Sequence, residues 1–133
     1  MTHGLTVRVY YEDTDLAGIV YYANYLKFIE RGRTEALREA GVDQSRLKAE
    51  RGLVFVVASL SLAYRRPARF DDLLTVETRV ARLGAATVDM AQRVARGGET
   101  CVEGSVRCAL MDAAGRPARL SYDLRAALGA LLD

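Results

Sequence analysis

The chain has 133 residues, half of them hydrophobic, with 19 Lys and Arg against 17 Asp and Glu and a formal charge of +2. That length suits one domain around one core, and the small, scattered charge argues against a nucleic-acid partner. No apolar run approaches the roughly 18–20 residues that span a bilayer; the start, Met1-Thr-His-Gly-Leu-Thr-Val-Arg-Val9, lacks the basic and apolar regions of a secretion signal, so a cytoplasmic protein is expected.

Leu5 to Tyr10 alternates apolar and polar residues, the pattern of a half-buried strand. From Asn24 to about Ala40 the period becomes helical. Tyr25, Ile29, Gly32, Ala36 and Ala40 form one stripe, and Lys27, Arg31, Arg38 and Glu39 lie mostly elsewhere. Asn24 is expected as the N-cap and Gly41 as the C-terminal stop. Gly32 costs about 1 kcal/mol of helix propensity against Ala, and close packing on a sheet is the compensation to look for.

Leu53 to Tyr64 is nearly unbroken apolar, as in a strand covered on both faces. Arg65 to Asp72 is a loop. Leu73 to Leu83, Thr87 to Arg96 and Thr100 to Met111 alternate, with Gly84 and Gly97-Gly98 as turns, which predicts an antiparallel meander. Asp112 to Gly115 is a further turn, and Leu124 to Leu132 a short closing helix. No repeat interrupts this order of strand, helix and four strands. One long helix covering a mostly antiparallel sheet is an α+β layer arrangement.

His3 is the only histidine, at a terminus expected to be loosely held. Ser-His-Asp and Cys-His arrangements are therefore disfavoured, and a zinc site of two Cys and two His is impossible within one chain. Cys101 and Cys108 stand seven apart in one strand, so they are expected on opposite faces, roughly 24 Å apart and unable to form a disulfide. What remains for chemistry is carboxylates, hydroxyls and backbone.

The segment Tyr10-Tyr-Glu-Asp-Thr-Asp-Leu-Ala-Gly-Ile-Val-Tyr-Tyr-Ala-Asn-Tyr25 holds the strongest chemical signal. Two carboxylates, Asp13 and Asp15, end a strand-like run, Gly18 turns the chain, and a helix start follows. Such a layout sets a carboxylate beside the positive, donor-rich end of a helix. A carbonyl docked there is polarised by backbone N–H groups, with the carboxylate near enough to act on it or on a water. The bland alternative for Asp15 is a turn carboxylate satisfied by backbone N–H groups. Gly18 suits a positive φ or a close approach of substrate to backbone.

The same segment resembles the signature of the hotdog-fold acyl-CoA thioesterases, in the 4-hydroxybenzoyl-CoA thioesterase and YbgC-like (Tol–Pal-associated) branch. That signature runs Tyr-x-Asp-Thr-Asp-x-x-Gly-x-Val-Tyr-x-x-Asn-Tyr-Leu. Two further stretches are similar to the family's: Tyr25-Leu-x-Phe-x-Glu-x-Gly-Arg-x-Glu35, with Gly32 where Ala is common, and Tyr64-Arg-Arg-Pro-Ala-Arg-Phe-Asp-Asp-Leu-Leu74. Three motifs in the correct order anchor residues 10 to 74.

The resemblance implies an α+β hotdog fold, an antiparallel sheet wrapped around one long central helix, as one domain over residues 1–133. It implies hydrolysis of an acyl-CoA thioester to free acid and CoA, with no cofactor and no metal. Asp15 falls on the family's catalytic acid, which is carried as nucleophile or general base. The Tyr22 amide matches the donor that polarises the carbonyl, and its side chain stands where Tol–Pal-associated members often carry His. Gly18 and Asn24 are further candidate substrate contacts. Asp13 is expected to brace the loop, Glu30 and Arg33 to pair along the helix, and Arg65, Arg66, Arg69 and Arg82 are candidates for the CoA phosphates. Family sites lie between subunits, so a homodimer or a homotetramer built from dimers is expected. The alternative is a non-catalytic acyl-thioester-binding or assembly protein on the same fold.

Overall fold

The computed structural model describes residues 1–132. Five strands form one antiparallel sheet: β1 (His3–Arg8), β2 (Val54–Tyr64), β3 (Leu73–Leu83), β4 (Thr87–Arg96) and β5 (Glu99–Met111). Their spatial order is β1-β3-β4-β5-β2. The three alternating runs are the meander β3-β4-β5, joined at Gly84 and at Gly97-Gly98, whose φ of 54° and 84° favour glycine.

Helix α1 (Tyr25–Glu39) lies on the sheet and buries Tyr25, Phe28, Ile29, Gly32, Ala36 and Leu37. The stripe expected from sequence is the buried face, with Phe28 and Leu37 widening it. A Cβ built on Gly32 comes within 2.5 Å of Val76 Cγ1, so helix and sheet approach closely at this position. Beside it the buried Gln92 side chain donates to the Ile29 carbonyl and to Thr78 Oγ1, both at 2.9 Å. Gly41, at φ 96°, ends α1 as expected: its N–H reaches the Arg38 carbonyl, and the Val42 N–H reaches back to Leu37.

The structure corrects six expectations. A second helix, α2 (Gln44–Arg51), stands where the sequence reading has no element. Asp43 caps it through the Arg46 N–H at 3.0 Å, and Gly52, at φ 65°, ends it. Only Leu47 of α2 is buried, so the apolar period is too weak to read. The closing helix α3 runs Tyr122–Gly129, two residues earlier than its apolar run suggests, because Ser121 caps it.

Strand β2 is not covered on both faces. It pairs only with β5, at the sheet edge, and none of its residues is fully buried. Val57 is 50% and Leu60 42% exposed, so the middle of its apolar run is open in the single chain, while Phe55 and Leu62 pack against the core. His3 is not loosely held either: it opens β1 opposite Thr78, and its Nε2 lies 2.9 Å from Glu39 Oε2 on α1.

Cys101 and Cys108 both face the core, in the same hydrophobic cluster. The register between β4 and β5 slips where Val94 pairs with Val102 but Ala95 pairs with Thr100. Cys101 is the unpaired residue of that bulge, which turns two successive side chains inward. Both thiols are free. Finally, Glu30 and Arg33 make no pair with each other. Arg33 donates to Gln92 Oε1 at 3.2 Å, and Glu30 accepts from Thr34 Oγ1 at 3.1 Å. The buried Gln92 amide draws the guanidinium towards the sheet.

Candidate active site

The segment after β1 does not stay extended. Tyr11–Asp13 forms a 3-10 turn in which Asp13 Oδ2 accepts the Tyr10 N–H at 2.8 Å. The Asp13 carbonyl accepts two more donors, the Tyr21 N–H and the Asn24 side-chain amide, each at 2.9 Å. Asp13 thus braces the loop, as the sequence reading expects.

Asp15 opens a tight turn. Gly18 N–H returns to the Asp15 carbonyl at 3.0 Å, and Asp15 N–H pairs with the Ile19 carbonyl at 2.9 Å. Gly18 has φ 80°, and a Cβ there meets nothing within 4 Å, so the backbone angle rather than space calls for glycine. One carboxylate oxygen of Asp15 accepts the Ala17 N–H at 2.9 Å, the local bond of the bland reading. Asp15 is nevertheless exposed at the tip of a braced hairpin, beside the fully exposed Leu16.

Helix α1 begins at Tyr25, directly after Asn24 as expected, but a short turn precedes it. Tyr22–Asn24 forms a 3-10 turn that runs into α1, with Tyr21 as its extended first residue. Asn24 has helical angles and makes no side-chain cap. Lying inside the turn, its amide points back to Asp13 instead. The donor-rich end is therefore at Tyr22 and Ala23, whose N–H groups precede any carbonyl of their own helix.

The Arg65–Asp72 loop closes the other side. The Ala68 N–H donates to the Tyr25 hydroxyl at 3.0 Å, while the Ala68 carbonyl accepts the Val20 N–H at 2.8 Å. Burial pushes the Tyr25 phenol up, suiting this neutral, accepting role. Arg65 and Arg66 N–H groups both bond to the Cys101 carbonyl, which the bulge leaves free for them. At the loop's far end Asp72 accepts the Arg69 N–H and the Arg96 guanidinium, at 2.8 and 2.7 Å. Burial acts against the charged form of Asp72, but those two donors outweigh it and hold the carboxyl below the usual range.

Between hairpin, helix start and loop lies a cleft of about 350 Å³ lined by Ile19, Tyr22, Tyr25, Tyr64, Arg65 and Arg66. Of the four candidate phosphate-binding arginines, Arg65 and Arg66 reach this cleft. Their guanidinium groups lean on Glu103 and Glu99, at 3.3 and 3.6 Å. Arg82 lies opposite Asp89 on the meander, away from it. Tyr64, which the sequence reading leaves without a role, donates its hydroxyl to the Tyr22 carbonyl at 3.0 Å. Only its place at the head of the Arg-Arg-Pro-Ala loop hints at this. A larger hollow of about 550 Å³ on the opposite face of the sheet, with Glu77, Arg93, Glu103 and Ser105 in its wall, shares no lining residue with this cleft. Among the described residues no cluster of His, Cys, Asp and Glu is arranged to hold a metal ion.

This fold has known counterparts. Residues 9–128 match the family model of the thioesterase-like superfamily. The chain belongs to that superfamily of hotdog-fold proteins. It is 46% identical over 106 residues to the acyl-CoA thioesterase YbgC of Haemophilus influenzae, covering 80% of this chain and 78% of that protein. It is also 46% identical over 88 residues to the acyl-CoA thioester hydrolase YbgC of Escherichia coli O157:H7, covering 66% of this chain and 65%, just under two thirds, of that one. The crystal structure of a probable thioesterase from Bartonella henselae superposes with a TM-score of 0.87 at 40% identity, over 91% of this chain and all of that one. No helix among the described residues is long and apolar enough to cross a membrane.

Proposed function

We propose that the protein is an acyl-CoA thioesterase, acting as one domain over its whole length, that hydrolyses the thioester to a free acid and CoA. The single observation that carries this reading is the Asp13 carbonyl. By accepting from both Tyr21 and Asn24, it makes the hairpin bearing Asp15 and the donor-rich helix start one braced unit. A thioester carbonyl docked at that helix start receives the Tyr22 and Ala23 N–H groups as its oxyanion forms. Asp15 acts as general base: the oxygen not engaged by Ala17 takes a proton from water as the water oxygen bonds to the thioester carbon. Collapse of the tetrahedral adduct breaks the carbon–sulfur bond, and the proton passes to the departing sulfur. Gly18 shapes the site through its backbone turn and Asn24 through its side-chain amide on the Asp13 carbonyl, and Arg65 and Arg66 beside the cleft suit the phosphates of CoA.

The open edge of β2 supports a homodimer, or a homotetramer built from dimers. Val57 and Leu60 on that edge, with Leu26 of α1 40% exposed, form apolar surface of the sort obligate partners cover. The family resemblance adds that the second copy completes the cleft. A thiol-release assay over a panel of aliphatic and aromatic acyl-CoAs tests the reading. Turnover of at least one member is expected; tight binding without thiol release across the panel means a non-catalytic binder.

A further inference from the structure

Tyr22 sits between two peptide planes, and both are pinned through their carbonyl oxygens. On the N-terminal side, the Tyr21 carbonyl accepts the Asn24 N–H at 2.8 Å. On the C-terminal side, the Tyr22 carbonyl accepts the Tyr64 hydroxyl at 3.0 Å, from a strand 42 residues away. The Tyr64 ring is itself fixed edge-on between two tyrosines, with centroids 6.3 Å from Tyr22 and 5.7 Å from Tyr25. Each pinned plane carries one N–H on its opposite side: that of Tyr22 in the first, that of Ala23 in the second. These are the two donors with no carbonyl of their own helix to serve.

A donor aimed at an oxyanion contributes most when its direction is set before the charge appears, so that nothing reorganises during the reaction. A hydrogen bond to a peptide oxygen also polarises that peptide and makes its N–H a stronger donor. Tyr64 supplies both effects to the Tyr22–Ala23 peptide. The first-turn carbonyl of a helix ordinarily accepts only from within the helix, so packing of α1 does not call for this extra hydroxyl. It is 49% exposed at the cleft mouth, where a phenylalanine of the same shape meets the same ring contacts.

We propose that Tyr64 is a positioning residue for the thioester reaction: its hydroxyl holds and polarises the Tyr22–Ala23 peptide so that the helix start receives the oxyanion. This rests on the thioesterase reading above. The test compares Tyr64→Phe, Tyr64→Leu and, as control, the remote and exposed Tyr122→Phe on the best acyl-CoA of the panel. Tyr64→Phe is expected to lower kcat about 3- to 10-fold, the worth of one hydrogen bond, with KM within about 2-fold and an unchanged melting temperature. A purely packing role makes Tyr64→Phe equal to wild type and impairs Tyr64→Leu alone, which overturns the proposal.

A second readout does not depend on turnover. In the Asp15→Asn protein, isotope-edited infrared spectra of the bound thioester carbonyl should show a shift to lower frequency. Adding Tyr64→Phe should return it part of the way to the free value; an unmoved band refutes the role. Wild-type protein silent on the whole panel refutes the reaction, and the assignment of Tyr64 to it. Active wild type with equally active Tyr64→Phe refutes Tyr64 alone.

Discussion

The Asn24 side-chain amide donates to the Asp13 carbonyl at 2.9 Å across 11 residues of chain, stitching the helix start to the acidic loop. Asn24→Ala removes that stitch but leaves the Tyr21 N–H on the same oxygen. Urea unfolding should show a loss of about 0.5–1.5 kcal/mol, one partly buried hydrogen bond. An unchanged midpoint means that the loop holds its shape by other means.

Gly32 matters through space rather than flexibility. Gly32→Ala adds about 1 kcal/mol of helix propensity, yet its Cβ meets Val76 Cγ1 at 2.5 Å in a buried contact. The variant should therefore be destabilised, by about 1–3 kcal/mol. Combined with Val76→Ala, it should cost less than the two single changes added together, because the methyl added at position 32 fills the space that Val76→Ala vacates. A Gly32→Ala protein more stable than the parent contradicts this packing.

Burial pushes both the Cys101 and the Cys108 thiol up, so little thiolate is present at neutral pH. The native protein should react with a disulfide reagent far more slowly than the unfolded chain, and Cys101→Ala with Cys108→Ala should keep full turnover, as should the wild type in EDTA. A thiol titrating rapidly in folded protein, or turnover lost with either treatment, sinks this view of the site.

Acid should unfold the protein through particular carboxylates. The Arg107 guanidinium hydrogen-bonded to Asp89 holds it below the ordinary carboxylate value of 3.8, and Asp72 is lowered against its own burial by Arg69 and Arg96. A depressed folded value means that their contribution is fully present above pH 3.8 and is lost as pH falls through the lower folded values. Melting temperature should fall steeply below about pH 4, and Arg96→Met should flatten that fall. Equal acid slopes for wild type and Arg96→Met mean that the Asp72 pair contributes nothing.

How much of this was legible in sequence depended on whether the signal was periodic or tertiary. Strands β3, β4 and β5 announced themselves because alternation meets glycine turns at both joints. The α1 face did so because Tyr25, Ile29, Gly32 and Ala36 keep helical spacing. The bulge at Cys101 carries no local mark, since the slip is set by pairing with Val94 and Ala95 and not by its own residues. The apolar run of β2 looks the same whether a strand is covered by its own chain or left on an edge. Asn24 has the chemistry of a cap, and only the preceding 3-10 turn redirects its amide. The turn after Asp15, in contrast, was readable because a backbone angle of φ 80° calls for glycine, and Gly18 supplies it.

The most direct test of the central claim is kcat of Asp15→Asn measured beside Asp13→Asn on one turned-over acyl-CoA. Asp15→Asn should lose about 10²–10⁴ in kcat while remaining folded, the scale of a positioned acid–base group. Asp13→Asn, whose carboxylate is spent on the Tyr10 N–H, should lose mainly stability. Near-normal kcat for Asp15→Asn, with activity lost instead in a folded Asp13→Asn protein, contradicts the account and reverses the two assignments.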